Sequence, residues 1–327
     1  MTILLEFKEK LKLFYGKFDI YIVPFVKFVL AFTVFLMLGN RVGFMEKLNN
    51  PAISLILALV CALLPVNMIA VFASLLVIAH SYALSLEVFA IMTVMLMIML
   101  LLYFRIAPGY GYLLVAAPIA FVFKVPYVIP LIMGLVATPV AAVPVACGTA
   151  VYYLLHYMRL NTTMLSGTDV ENLQQKFIYL IENMIYNKEM LLMIIAFAVT
   201  LLLVYVIRRL SVDYCWYIAI IAGAIVEFLA VLIGGVFLDV SVKLLPLFFG
   251  CLAAMCIAFV LQFFLFSVDY SRTEYVQFED DEYYYYVKAV PKMTIAVTDK
   301  KVKRIHAQKK GQAVRRNPSG NSRTATR

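Results

Sequence analysis

Residues 110–157 read YGYLLVAAPIAFVFKVPYVIPLIMGLVATPVAAVPVACGTAVYYLLHY. The stretch holds a single Lys/Arg/Asp/Glu residue, Lys124, and is broken by Pro118, Pro126, Pro130, Pro139 and Pro144, with Gly134 and Gly148 between. A lone spanning helix needs about 20 apolar residues, so this run is too long for one helix. Proline removes a backbone donor and clashes with the preceding turn, which predicts division into three short helices. Segments that short cross a bilayer core of about 30 Å only in part, buried among other helices.

The same pattern recurs on a smaller scale upstream. Ala52–Ala79 is interrupted by Leu64-Pro65-Val66-Asn67, which predicts two short helices in place of one tilted one. The segments around Leu64–Ile69 and Val125–Pro130 resemble each other, each opening an apolar helix after a break, as a two-repeat transporter would have them. Cleaner spans run over Ile20–Leu38, Ala83–Phe104, Met190–Ile207, Tyr214–Leu238 and Leu244–Val268. The fold class is an all-α polytopic membrane protein, a bundle of about 8–10 transmembrane helices with several short and Pro-broken. Ten crossings is the preferred count.

Composition agrees. Hydrophobic residues make up 64% of the 327 and charged residues 14%, with a mean hydropathy of +0.93, against roughly 45–50% and 25% in soluble domains. The net charge of +9 is local: 300–327 holds ten Lys/Arg and no acidic residue. That stretch reads as a disordered basic tail (299–327). Before it, 269–298 reads as a cytoplasmic β-hairpin, with strands near Tyr275–Phe278 and Tyr283–Val290 around the acidic turn Glu279–Glu282.

The positive-inside rule orients the chain. Lys8, Lys10, Lys12 and Lys17 in the 1–19 segment, Arg208-Arg209 and the tail belong inside. Both termini are then cytoplasmic and the number of crossings is even. The N-terminal transmembrane region (20–158) and a C-terminal three-helix region (190–268) are joined by an extracytoplasmic loop (159–189). Within that loop Val170, Leu173, Phe177, Leu180, Ile181 and Met184 recur at helical spacing, the mark of an amphipathic helix lying in the interface or roofing the bundle.

Ionisable groups inside a bilayer are expensive, so they are the best functional pointers here. Glu227 lies thirteen residues into its span and Lys27 sits eight residues into the first; they are the preferred partners for each other. Lys124, Glu87 and Asn67 complete the substrate-binding candidates. Structural readings stand beside them: an ion pair for Glu227, and for Asn67 the satisfaction of backbone freed by the break. Lys300, Lys301, Lys303, Arg304, Lys309 and Lys310 are the lipid-binding candidates, facing anionic headgroups. The five cysteines, all in apolar segments, read as packing residues.

No Walker P-loop, HExxH, GxSxG or intramembrane aspartate pair occurs, so an enzyme is not expected, nor a cofactor, a metal or nucleic-acid binding. The leading function is a permease-like transport component of a bacterial-type cytoplasmic membrane. The alternative is a scaffold whose hairpin and tail recruit a cytoplasmic partner or a second copy. A transporter should show a hydrated cavity reaching Glu227 or Lys27, and a scaffold should be packed solid there.

Overall fold

The computed structural model describes residues 2–162, 182, 186–266 and 273–291. Ten helices occur among them: α1 (Thr2–Val42), α2 (Pro51–Leu63), α3 (Asn67–Leu84), α4 (Leu86–Ile106), α5 (Tyr112–Val122), α6 (Val128–Val136), α7 (Ala142–Leu160), α8 (Lys188–Arg208), α9 (Cys215–Leu238) and α10 (Leu244–Phe266). Both proline-rich runs divide at the predicted breaks, but α3 and α7, with 18 and 19 residues, are long enough to span and are not the short helices expected. The hairpin follows as β1 (Glu274–Glu279) and β2 (Tyr284–Ala289), antiparallel, with Phe278 opposite Tyr285.

Contacts between helix ends assign direction. Lys8 donates to the Phe263 carbonyl (3.1 Å), so the start of α1 meets the end of α10. Lys288 of the hairpin reaches Asp213 (2.6 Å) in the α8–α9 turn. That carboxylate raises the Lys288 ammonium above its usual range. Arg208, closing α8, donates to the Leu135 and Ala137 carbonyls at the end of α6. The Tyr110 hydroxyl, just before α5, is 3.2 Å from both Oγ1 and N of Thr138, just after α6. All these ends lie together, at the hairpin end of the bundle.

The α5–α6 pair therefore enters and leaves at one end. Its helices have 11 and 9 residues, roughly 16 and 14 Å at 1.5 Å per residue, about half a bilayer core of ~30 Å. Ten helices occur among the described residues, and α5 and α6 are too short to cross a core of that thickness alone; α2, at 13 residues, is also shorter than a full span. The placement of α1's start and α10's end together agrees with the even number of crossings expected.

Seven of the helices are long and apolar enough to cross a membrane, and the chain is a multi-pass helical membrane protein. Helix α9 shows why. Ile218, Ile221, Ile225, Leu229 and Ile233 form an exposed stripe, which water would not tolerate and lipid does. Its other face buries Ala219, Gly223, Glu227, Val231 and Gly235 at four-residue spacing, the small-residue pattern that lets membrane helices approach closely. Gly223 of α9 and Gly134 of α6 both rest on Val204 of α8, leaving no room for a Cβ at either position.

The core has three centres among the described residues. Phe35, Ile69, Met92 and Leu96 pack among α1–α4, with Leu154 of α7. Leu131 of α6, with Val204, Ile220 and Ala254, packs among α8–α10. Leu113 of α5 and Val145 of α7 join Met133 of α6, Phe197 of α8 and Val231 of α9 in the third, so α5 and α7 are shared between the first and the third. The two resembling Pro-segments are not equivalent, because Asn67 opens an 18-residue helix and Val128 a 9-residue one. The amphipathic stretch at 170–184, apart from Glu182, and the tail lysines and arginines lie outside the described residues.

Candidate functional site

The turn between α5 and α6 joins the two shortest α-helices among the described residues. Val125 N donates to the Ala120 carbonyl (2.9 Å) and Lys124 N to the Phe121 carbonyl (3.1 Å), a Schellman closure that satisfies α5's last carbonyls without water. Such a closure needs a left-handed residue. Here that residue is Lys124, at φ 60°, where glycine is usual. Pro126 then prevents helix from resuming until Val128.

Behind this tip, Tyr127 packs edge-on against Phe197 of α8, ring centroids 6.3 Å apart, and abuts Gly250 of α10. Tyr127 and Cys251 lie within electrostatic reach of Glu227. Glu227 is fully buried, and neither carboxylate oxygen has a hydrogen-bond partner. Two contacts fix the register of α8 against α9: Leu192 on Gly234 and Val204 on Gly223. The antiparallel pairing between them puts Thr200 opposite Glu227. Thr200 is also fully buried and its hydroxyl also unpaired.

Buried polar atoms in folded proteins are nearly always hydrogen-bonded. Three orphaned oxygens on facing positions beside a half-length helix pair are therefore the strongest chemical feature of the bundle. They comprise a carboxyl that can exchange a proton or ligate a cation and a hydroxyl that can serve as donor or acceptor. Among the described residues no group of three or more His, Cys, Asp and Glu is placed to hold a metal ion.

The other candidates do not converge on Glu227. Lys27 donates to the Leu64 carbonyl (3.2 Å), capping the end of α2 at the Pro65 break, so the preferred Lys27–Glu227 pair is not formed. Long side chains near an uncapped helix end satisfy its carbonyls and complement its dipole, and Lys27 does both. Asn67 donates through Nδ2 to the Pro108 carbonyl (2.9 Å), tying the start of α3 to the α4–α5 turn. That is the structural reading of Asn67. Glu87 sits in the first turn of α4, behind the Ser85 N-cap, where a carboxylate favours the helix dipole. Lys124 is exposed at the tip.

Sequence reasoning missed Thr200 and Tyr127. A lone threonine in an apolar helix satisfies itself on its own backbone so often that it carries no signal; only the α8–α9 register makes it informative.

An open cleft enclosing about 80 Å³ lies on the other side of α5. It runs between α1, α3, α4, α5 and α7, and neither Glu227 nor Lys27 lines it. It is therefore not the hydrated cavity expected of a transporter, and the surroundings of Glu227 are closed, which was the expectation for a scaffold. Compared with protein-family profiles, characterised proteins and solved structures, the chain matches none.

Proposed function

We propose that the protein is a permease-like transport component of a bacterial-type cytoplasmic membrane, with eight crossings and both termini in the cytoplasm. In this reading the α5–α6 pair is the moving part and Glu227 the group whose protonation or cation binding it controls. The observation that carries it is the set of unpaired, fully buried oxygens of Glu227 and Thr200 beside Tyr127 and the α5–α6 tip. Solid packing for its own sake does not leave a carboxyl without a partner. Broken, half-length helices at mid-membrane are the usual place for transporters to bind substrate or ion. The site is closed, so transport requires the tip to move.

A scaffold is the second reading, favoured by the hairpin. Tyr275, Tyr284 and Tyr286 are each more than two-thirds exposed, a surface of the kind aromatic-rich interfaces use.

An apolar carbodiimide separates the two. The reagent attacks protonated carboxyls in apolar surroundings, and it reaches Glu227 only if the bundle opens. Transport predicts modification of Glu227 in native membranes, measured by mass spectrometry of the α9 peptide, and a decline as pH rises or a coupling cation is added. An unmodified Glu227 throughout, in membranes where the reagent labels a known carbodiimide-sensitive carboxyl of another protein, would leave the scaffold.

A further inference from the structure

The cavity beside α5 has a polar end and an apolar end. Arg41, in the last turn of α1, and Arg159, in the last turn of α7, line it at the end of the bundle opposite the hairpin. Neither arginine has an ion pair among the described residues. His156, one turn before Arg159, stacks on Tyr152 (centroids 5.8 Å apart), and its Nδ1 is buried with no partner. Deeper in, the walls are apolar, including Ala73, Leu114 and Val122. A shallow surface groove over Phe25, Val26 and Val29 adjoins the cavity, sharing Ile119 with it.

We propose that this cavity is a binding site for one anionic phospholipid, its phosphate held by Arg41 and Arg159 and an acyl chain laid against α5. Three observations select this occupant. The arginines are fixed-charge, fork-shaped donors suited to phosphate. The deeper walls of the cleft, Leu96, Leu114, Val115 and Ile119 among them, are apolar, as an acyl chain requires. The adjoining groove gives the cavity a side entrance from the bilayer, which a lipid can use and a water-soluble anion has no need of. The polarity also runs the right way, with charge at the bundle's end and hydrocarbon toward its middle. Arg41 and Glu189 both lie within electrostatic reach of Tyr152, so a carboxylate stands near the arginines at this mouth. Arginine in a last turn also complements the helix dipole, but this does not explain two of them around one cavity. Nor does the positive-inside rule favour them there, because this end is the extracytoplasmic one in the orientation proposed above.

The test is a native mass spectrometry titration of the full chain with phosphatidylglycerol or phosphatidylcholine carrying identical acyl chains. The native chain should prefer phosphatidylglycerol about ten-fold, the order one hydrogen bond to a charged group supplies. The double variant Arg41→Gln/Arg159→Gln should lose that preference while retaining its weaker binding of phosphatidylcholine. Equal binding of the two lipids by the native chain, or a preference that survives the double variant, overturns the proposal. So does glycerol phosphate binding as tightly as the lipid, which would mark a headgroup site without a tail. A phosphatidylglycerol with a photoreactive tail tests the place in the unaltered chain. Cross-links should fall on the α5 and α7 peptides, and cross-links confined to other helices would defeat the assignment.

Discussion

The chain breaks its helices at two places that look alike in sequence, Leu64-Pro65 and Val125-Pro126, and the structure treats them oppositely. At the first break the Leu64 carbonyl is met by a side chain from another helix. Lys27 caps the Leu64 carbonyl, and Asn67 and Tyr103 both donate to the Pro108 carbonyl nearby. At the second, the backbone closes on itself around Lys124, and the polar side chains behind it are left without partners. Proline specifies where a membrane helix stops. Which polar groups arrive from other helices decides whether the stop is a sealed joint or a reactive one.

The largest consequence is one of depth. A cysteine replacing Lys124 in a cysteine-free background should be shielded from an impermeant maleimide on both sides of the membrane. The same change at Asn50, in the α1–α2 loop, should label freely from outside. Tip labelling as fast as Asn50 from outside would mean that α5 and α6 cross the bilayer, restoring ten crossings and removing the distinction between the breaks.

Stability should separate the two charges by sign. Glu227→Met replaces an unsatisfied buried carboxyl with a flexible apolar chain of similar size, and should stabilise by about 1–3 kcal/mol, the penalty usually attached to such a group. Lys27→Met strips the cap from Leu64 and should destabilise by about 1 kcal/mol, near the range measured for hydrogen bonds inside membrane proteins. Unfolding midpoints in one detergent decide the matter. If both variants shift the same way, the breaks are energetically alike. A gain at Glu227 together with lost transport would be the trade between stability and activity expected of a functional carboxyl.

Much of this fold was legible in advance because apolar length and proline position are local signals. The breaks at Pro65 and Pro126, the long spans and the acidic hairpin turn all follow from a few neighbouring residues. The α5–α6 reversal was only partly legible: the proline spacing gives short helices, but nothing within 110–138 says that Tyr110 will meet Thr138 and hold the two ends of the pair together. Glu227 was found because a carboxyl is conspicuous in an apolar helix, whereas its partner was assigned wrongly. Lys27 had a nearer acceptor in a carbonyl that sequence does not display. The cavity arginines were overlooked because residues at helix ends read as interfacial; only the fold brings Arg41 and Arg159, 118 positions apart, around one space.

A third chain reversal, outside the spans, supplies the smallest expected effect. The turn of the hairpin is closed by Asp280, whose Oδ1 accepts from Glu282 N (3.0 Å) and Tyr283 N (2.8 Å) and whose Oδ2 accepts from the Tyr285 hydroxyl (2.9 Å). The two backbone donors and the hydroxyl hold its carboxyl below the usual aspartate range. A depressed carboxyl contributes stability above its unfolded-state pKa and loses it as pH falls through the lower, folded value. Hairpin order should therefore persist through mildly acidic conditions and weaken only below the ordinary aspartate range. Amide exchange at Glu282 and Tyr283, corrected for the intrinsic effect of pH, reads this directly. Asp280→Asn keeps one acceptor oxygen and should lose only part of the protection, because water replaces what the turn gives up, a substitution the sealed joint at Leu64 does not have. Protection that fades already near neutral pH would point instead to the exposed Lys288–Asp213 contact as too weak to hold the hairpin. If exchange in the Asp280→Asn variant is instead as fast as in an unfolded chain, the turn depends on its charge as heavily as the membrane breaks depend on theirs, and the contrast between wet and dry reversals fails.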